Sequence, residues 1–338
     1  MPQARLKDVA RKAKVSVATV SLVLAGKGRI SEEVRGRVRE TAASLGYRPR
    51  RAAAGRPGGN GTVGILCAED RQYEWNFIRP TILELEHAMR QRGHMPVLIP
   101  AASRADHEKT VQHVRDAGVR AVFSLQISDG AVFSGLRERG IQVVVINTSG
   151  FQDRLDSVCV DDFQGAYEGT CYLLGLGHRS VAFVEYARPE SPAVVADRFI
   201  GFRKALEEQK VGFSPERRLT VPFMDAARLE KKLAALFGRA GRPTAIFAHD
   251  DYLGLYVIEA LRRMGLSVPR DVSLVAPGDV LDYSLPLMPQ ITTMRIDTAL
   301  LGKIAANLMF DRMRNADSGP HVLKVKEQLV RRASCRQL

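Results

Sequence analysis

The sequence lacks the features that mark secreted, membrane-spanning and zinc-binding proteins. Its four cysteines are too far apart for a C-x-x-C motif or a Cys/His ligand spacing, so we predict neither a disulfide framework nor a zinc site. No apolar run approaches the roughly 18 residues that are needed to span a bilayer. The first residues, MPQARLKDVARKAKV, carry charges where a signal peptide needs an apolar stretch. We therefore expect a cytoplasmic protein.

Common catalytic and cofactor motifs are also missing. The chain contains no P-loop lysine motif, no G-x-S-x-G and no H-E-x-x-H, and GGNGT resembles a phosphate-binding loop only in its glycine content. We accordingly expect no cofactor, no metal ion and no enzymatic activity.

Positive charge is concentrated near the N-terminus. Residues 1–60 contain 14 Lys and Arg against 4 Asp and Glu, a net charge of +10, whereas the remaining residues contain 36 against 33. A solvated basic tail is one explanation, but such a tail would lack the apolar periodicity that this segment has. An anionic polymer is therefore the predicted partner.

Three short helices are predicted in the first fifty residues. The first covers Leu6–Ala13, Ser16 can cap a second over Val17–Leu24, and Ser31 can cap a third that ends at Gly46. Their apolar side chains recur at helical spacing and predict a miniature core. The predicted core residues are Leu6, Val9, Ala10, Ala13, Val20, Val23, Leu24, Val34, Val38, Ala42 and Leu45.

The rest of the chain has the pattern of an α/β protein. RRAAAGRPGGNG, residues 50–61, predicts a linker, because proline and glycine break regular structure. Beyond it, the strand-type runs VGILC, PVLIP, AVFSL, QVVVI, VAFVEY, AIFAH and VSLVA alternate with helical stretches. This alternation indicates parallel sheets covered by helices on both faces, and the length favours two sheets. We predict a head at 1–49, a linker at 50–61 and a body at 62–338.

The N-terminal segment RLKDVARKAKVSVATVSLVLAGKGRISEEVRGRVRETAASLGYRPR resembles the headpiece of the lactose-repressor (LacI/GalR) family. In the body, VDDFQGAYEGTCYLLGLGHRSVAFVE, DRFIGFRKAL, FAHDDYLGL and the segment ending in PQITTMRID follow the sensor domain of that family in order. The resemblance implies a helix-turn-helix head on two Rossmann-like lobes of the periplasmic-binding-protein type. It also implies a repressor that binds palindromic operators as a homodimer, with a small, polar, carbohydrate-like effector between the lobes.

In a helix-turn-helix, the second helix enters the major groove and places its outward side chains at base edges. Leu22 occupies a position where the family often has arginine, so contact with a thymine methyl group replaces a guanine contact. The residues predicted to contact DNA are Arg5, Lys7, Ser16, Val17, Ala18, Thr19, Ser21, Leu22, Lys27, Arg29, Arg50, Arg51 and Arg56.

The linker departs from the family at the position that usually inserts a leucine into the minor groove. Here that position is Arg56, and Pro57 directly after it would end a helix. We expect a linker that orders only weakly on DNA, with Arg56 attracted to a narrow minor groove and an operator that is bent less.

A set of effector-binding residues also follows from the resemblance. Arg198 matches the arginine that holds effector hydroxyls or carboxylates, and Asn147 matches a polar residue at the end of a strand. His249 and Asp250 either contact the ligand or serve as structural caps. Trp75 either stacks on a sugar ring or is buried in a lobe core or a dimer interface.

The body departs from the family pattern in the segment that is usually V-G-F-D-D. It reads VAPGD here, so Gly278 replaces the first acid and Asp279 remains as a predicted effector contact. A family polar position downstream is Ile296. Known sugar specificities therefore do not transfer. A body that responds to a protein partner, or that only dimerises, stays open as an alternative.

Two other classes of protein share an α/β body. An enzyme is one, because several acids, Asp161, Asp162, Asp250, Asp251 and Asp279, lie near predicted strand ends. A solute-binding protein of a transporter is the other, but it needs export and has no reason to carry a basic head. We expect a DNA-binding regulator.

We predict that Leu22→Arg changes the preferred DNA sequence more than the affinity for nonspecific DNA. The expected effect is about 1 to 3 kcal/mol at one base pair, because arginine can bond a guanine edge that leucine cannot. Selection of bound sequences from a random DNA pool measures this preference for both proteins. An unchanged preferred sequence in the variant would contradict the prediction.

Overall fold

The computed structural model describes residues 6–24, 30–45, 61–68, 75–102, 106–148, 150–187, 192–314 and 319–338. The chain divides into two compact units, residues 1–58 and 59–338. The predicted head lies in the first unit and the predicted body in the second. Apart from Gly61, the predicted linker lies outside the described residues.

The first unit contains three helices, α1 (Leu6–Ala13), α2 (Val17–Leu24) and α3 (Glu32–Ser44). The predicted bounds of the first two helices are confirmed, and α3 begins directly after Ser31. The helices pack their apolar faces together, as the helical spacing predicts. The buried side chains are Val9, Ala10, Ala13, Val20, Val23, Val38 and Ala42, with Val34 and Leu45 half-buried against them. The side chains of Leu6 and Leu24 are not described.

A tight turn connects α1 to α2. Lys14 takes a left-handed conformation with φ +54°, and the amide of Val15 donates to the carbonyl of Ala10 at 3.1 Å. Ser16 Oγ then accepts a hydrogen bond from the amide of Thr19 at 3.0 Å. This bond satisfies a free N–H group of the first turn of α2, so the predicted cap at Ser16 is confirmed.

The second unit alternates strands and helices along the chain. Its described helices are α4 (Trp75–Gln91), α5 (His107–Asp116), α6 (Gly130–Glu138), α7 (Asp162–Gly175), α8 (Pro192–Glu208), α9 (Ala226–Phe237), α10 (Asp251–Arg263) and α11 (Thr298–Arg314). The described strands are β1 (Thr62–Ala68), β2 (Met95–Ala101), β3 (Ala121–Leu125), β4 (Gln142–Ile146), β5 (Asp156–Val160), β6 (Val181–Tyr186), β7 (Arg218–Val221), β8 (Ala245–Ala248), β9 (Ser273–Gly278), β10 (Thr292–Arg295), β11 (Val322–Val325) and β12 (Gln328–Val330). Five of the seven predicted strand-type runs lie within a strand, and the other two, AIFAH and VSLVA, each extend one residue beyond β8 and β9.

These strands form two six-stranded sheets, one in each lobe. The first has the order β11-β5-β4-β3-β1-β2 and is parallel throughout. The second has the order β12-β10-β9-β8-β6-β7, with only β12 antiparallel to its neighbour. Both sheets carry buried apolar clusters on each face. The predicted fold, with a helix-turn-helix head and two Rossmann-like lobes, is confirmed.

The chain passes three times between the two lobes. Asp161 connects β5 to α7, residues 296–297 connect β10 to α11, and residues 326–327 connect β11 to β12. After the second crossing, α11 packs on α4 of the first lobe, where the hydroxyl of Thr81 donates to the carbonyl of Thr298 at 2.8 Å. Three short connections therefore form the hinge between the lobes.

None of the described helices has the length and apolar character that crossing a membrane requires.

A buried ion pair holds the first lobe together. Arg312 on α11 bonds both carboxylate oxygens of Asp156 on β5, at 2.5 and 2.7 Å. The two residues are 6% and 4% exposed. The amide of His321 also donates to Asp156, at 2.8 Å. The pair thus connects the beginning of β5 to α11 and to the segment that precedes β11.

We predict that Arg312→Met lowers the free energy of unfolding by about 3 to 5 kcal/mol, because it leaves the buried charge of Asp156 without its partner. Chemical denaturation measures the loss. The matched control is Arg90→Met, because Arg90 pairs with Glu86 on the exposed surface of α4. We expect the control to lose less than about 1 kcal/mol. Equal losses in the two variants would contradict the prediction.

Candidate functional site

The first unit exposes one end of α2. Ser16 and Val17 are exposed and Thr19 is half-buried, whereas Val20 and Val23 lie in the core. The start of α2 is therefore free to contact another molecule while its other face packs. The packed face is the one that the sequence predicts, and Val17 is exposed as expected.

Several predicted DNA contacts cannot be placed in the same way. Lys7, Ala18, Ser21 and Leu22 belong to described helices, but their side chains are not described. Other predicted contacts lie outside the described residues, namely Arg5, Lys27, Arg29, Arg50, Arg51 and Arg56. The whole set therefore stays a prediction.

The second unit contains a cleft between its two lobes. The lining residues come from segments that follow the carboxyl ends of strands in both sheets, which is where open α/β sheets bind ligands. Its cavity volume is about 90 Å³ in this conformation, and the space between the lobes reaches about 640 Å³ only when the mouth that opens to solvent is included. The described lining residues are Phe77, Gln126, Asn147, Arg198, Phe223, Met224, His249, Asp250, Asp251, Tyr252, Pro277, Gly278, Val280 and Ile296.

Four of the six predicted effector residues line this cleft, namely Asn147, Arg198, His249 and Asp250. Asp250 also accepts a hydrogen bond from the amide of Leu253 at 2.7 Å, so it caps α10 as well. His249 is buried and its ring lies edge-on to that of Tyr186, with centroids 5.9 Å apart.

Asp279 and Trp75 are not among the described lining residues. The carboxylate of Asp279 accepts bonds from Thr293 at 2.8 Å, from Arg332 at 2.6 Å and from Arg295. Burial acts to raise the pKa of Asp279, but these three bonds hold it below its ordinary value. The oxygens of Asp279 are thus bonded inside the second lobe in this conformation, and its expected contact with a ligand stays a prediction.

Trp75 is the first residue of α4, and its side chain is 47% exposed. Phe77, two residues further along α4, lines the cleft instead. Trp75 is therefore not buried in a lobe core, and its stacking on a ligand and its burial in a dimer interface both stay predictions.

Arg198 is buried at 7% exposure and holds the hinge. Its guanidinium bonds Asp162 Oδ1 through Nε at 2.7 Å and through a terminal nitrogen at 2.6 Å. Another terminal nitrogen donates to the carbonyl of His249. One side chain thus connects α8, the first turn of α7 and the end of β8. The sequence did not predict Asp162 as its partner.

Glu327 is a second buried acid beside this pair. It is 5% exposed, and neither carboxyl oxygen has a hydrogen-bond partner among the described residues. Its carboxyl group lies against Gly165 of α7, where an added Cβ would approach within 2.3 Å. Burial raises the pKa of Glu327 well above its ordinary value, although Arg198 acts in the opposite direction. Glu327 therefore keeps its proton to a higher pH than an exposed glutamate.

Asp251 is a buried acid in the cleft wall that the sequence did not predict as a contact. Its Oδ2 accepts bonds from the amides of Val280 and Leu281 at 2.9 and 3.2 Å, and from the hydroxyl of Tyr283 at 3.2 Å. Its Oδ1 has no hydrogen-bond partner among the described residues. Burial, reinforced by the charge of Asp250, raises the pKa of Asp251 to about 7.

Strained backbone is concentrated at the cleft. Gln126, Asn147 and Met224 line it with φ values of +54°, +52° and +55°, in the left-handed region that side chains other than glycine rarely adopt. Such strain is common at functional sites, where the surrounding structure holds it in place.

A side-chain contact also connects the two lobes beside the cleft. The side-chain amide of Asn76 on α4 donates to the hydroxyl of Tyr252 on α10 at 3.0 Å.

No group of three or more His, Cys, Asp or Glu with the geometry of a metal site occurs in the described part of the chain.

Comparison with known proteins agrees with this architecture. Residues 5–50 match the model of bacterial regulatory proteins of the lacI family, and residues 170–335 match a periplasmic binding protein-like domain. The ribose operon repressor of Haemophilus influenzae is 26% identical over 98% of this chain and 98% of the repressor. The transcriptional repressor PurR of Klebsiella pneumoniae is 28% identical over 98% of this chain and 96% of PurR.

A solved structure is similar over a comparable length. The cellobiose complex of the transcriptional regulator CelR has a TM-score of 0.71 and 26% identity, and the match covers 98% of this chain and 99% of CelR.

We predict that Glu327→Gln becomes more stable relative to the natural protein as the pH rises from about 5 to about 8. A pKa raised by folding gives stability that is complete below the unfolded value, near 4.5, and that is lost as the pH rises through the folded pKa. Glutamine does not ionise, so the variant does not lose this stability as the pH rises. Melting temperatures of both proteins, measured across this pH range, test the prediction.

Glu86→Gln is the control, because Glu86 lies on the exposed surface of α4. The difference in melting temperature between this control and the natural protein should stay nearly constant with pH. A Glu327→Gln difference that also stays constant would mean that Glu327 is ionised in the folded protein.

Proposed function

Because this chain belongs to the lacI family of bacterial regulatory proteins, we propose that it represses transcription by binding a palindromic DNA operator as a homodimer. A small carbohydrate-like molecule in the interlobe cleft controls this binding. The observation that carries the proposal is the combination of two sites in one chain: a helix-turn-helix with an exposed second helix, and a cleft at the strand ends of two lobes.

The cleft has the composition of a small-molecule site. Phe77, Phe223 and Tyr252 provide ring surfaces, and Gln126 and Asn147 provide amide groups. The relatives favour a sugar as ligand, since one is named for the ribose operon and another is a cellobiose complex. This composition favours a ligand-controlled body over one that only dimerises.

Exposed apolar residues support a dimer. β2 is an edge strand of the first sheet, and its Met95 and Leu98 are 54% and 52% exposed. In the second lobe, Leu285 and Leu287 are 50% and 95% exposed. Monomeric proteins seldom leave an edge strand with such residues uncovered. A second copy of the chain would cover these surfaces and bring two heads to the two halves of a palindrome.

A regulatory role accounts for the acids near the strand ends better than catalysis does. The described lining of the cleft includes no serine, threonine or cysteine to act as a nucleophile. Asp250 caps a helix, and Asp279 is bonded to Arg295 and Arg332. These acids hold the second lobe in shape.

We predict that the full-length protein binds a short, nearly palindromic duplex as a dimer. Its log affinity should fall steeply with log salt concentration, because several phosphates are neutralised per dimer. Footprinting and salt-dependent gel shifts measure both properties. The isolated second unit, which lacks the basic head, is the control and should not bind. A protein with no preferred site, or with an affinity that does not respond to salt, would exclude the proposed function.

A further inference from the structure

The cleft wall contains an acceptor that has no donor. Asp251 is 0% exposed and uses Oδ2 for three hydrogen bonds, while Oδ1 has none among the described residues. A buried acceptor without a donor is costly, and functional sites are one place where such groups persist. When Asp251 is ionised, the missing donor has to come from a molecule that enters the cleft or from a water held there.

Gly278 explains why this oxygen lies at the wall. A Cβ on Gly278 would lie 2.8 Å from Asp251 Oδ1, closer than real Cβ atoms approach, and φ there is +123°. A side chain at position 278 would therefore displace the Asp251 carboxyl group. With glycine in place, the carboxyl group keeps this position at the wall, and both residues line the cleft.

The charges around the cleft oppose an anionic ligand. Among its described lining residues, Arg198 provides one guanidinium, whereas Asp250 and Asp251 provide two carboxyl groups. The guanidinium is already neutralised by Asp162, and Glu327 adds a second buried acid beside it. A phosphate or carboxylate in the cleft would meet acids without an uncompensated cation among these residues.

We propose that the cleft selects a ligand that presents hydrogen-bond donors and carries no negative charge, and that Asp251 is the acceptor that recognises the donor. The inference rests on the proposed effector function and narrows its ligand class. Asp251 is fully covered in the present conformation. The donor therefore reaches Oδ1 past Gly278 when the lobes move, or through one bridging water.

The proposal implies that affinity depends on pH. Asp251 has Asp250 beside it at the start of α10 and Tyr283 bonded to it from the loop after β9, and Arg198 and His249 of the same lobe also line the cleft. A donor favours the carboxylate form, so binding should strengthen as Asp251 loses its proton near pH 7. For a sugar without ionisable groups, we expect a rise of about tenfold between pH 6 and pH 8.

The test is calorimetric titration of the full-length protein with matched sugars that differ in charge. The probes are D-glucose, D-gluconate and D-glucose 6-phosphate, D-ribose and D-ribose 5-phosphate, with cellobiose and nucleobases added. We expect an uncharged member to bind at least about tenfold more tightly than its anionic counterpart. A sugar acid or sugar phosphate that binds more tightly than its uncharged parent would overturn the proposal.

Asp251→Asn tests the residue itself. Its amide oxygen can accept the three bonds that Oδ2 now accepts, and its NH₂ group replaces the unpaired oxygen with a donor. We expect the variant to bind the uncharged sugar more weakly and with an affinity that no longer depends on pH. We also expect a smaller difference in affinity between the uncharged sugar and its anionic counterpart. The matched control is Asp282→Asn, because Asp282 is an exposed carboxylate of the same loop that bonds Ser284.

The outcomes separate this inference from the proposed function. If the natural protein binds an uncharged sugar and Asp251→Asn binds it equally well at every pH, the cleft remains an effector site and the role of Asp251 is wrong. If Asp251→Asn no longer binds operator DNA, the comparison of charged and uncharged sugars on the natural protein decides alone. If no probe binds at millimolar concentration while operator binding persists, the effector site and this inference both fail.

Discussion

The buried ion pair between Arg198 and Asp162 is the interaction on which the geometry of the cleft depends. Asp162 begins α7 directly after the first crossing between the lobes, and Arg198 reaches it from α8 while also bonding the carbonyl of His249. One guanidinium therefore fixes the hinge and the end of β8 together. Removing either partner would leave an unpaired charge in a low-dielectric interior. The resulting loss of folding stability is severalfold larger than the loss from breaking an ion pair on the surface.

The fold follows from the sequence where burial is continuous and apolar. AVFSL and QVVVI carry apolar side chains on both faces of the strand, with Ser124 and Gln142 as the exceptions, and this is typical of strands covered by helices on both faces. DSVCV and TTMR were not predicted as strands, although they lie inside the two sheets as β5 and β10. Their polar residues are buried because distant groups satisfy them: Arg312 bonds Asp156, and Ser334 accepts from the amide of Thr292.

The site was predictable only as far as the resemblance extends. It placed Asn147, Arg198, His249 and Asp250, which do line the cleft. It did not reveal Asp251 or Glu327. The sequence shows that an aspartate or a glutamate is present, but it does not show whether that side chain is buried or which groups surround it. Each of these carboxyl groups lies against a glycine that is distant in the chain, Gly278 for Asp251 and Gly165 for Glu327. A side chain at either glycine would collide with the carboxyl group.

Charge beside the hinge belongs to the second lobe. Arg198 on α8 bonds Asp162 on α7 and the carbonyl of His249 at the end of β8, so this pair stays intact when one lobe rotates against the other. Glu327, in the third crossing, also lies against α7 at Gly165. The hinge is therefore attached firmly to the second lobe, and the first lobe can change its angle without breaking the pair. A ligand that prefers one arrangement would shift the whole body by its difference in affinity between the two, which is how a cleft contact can alter DNA binding.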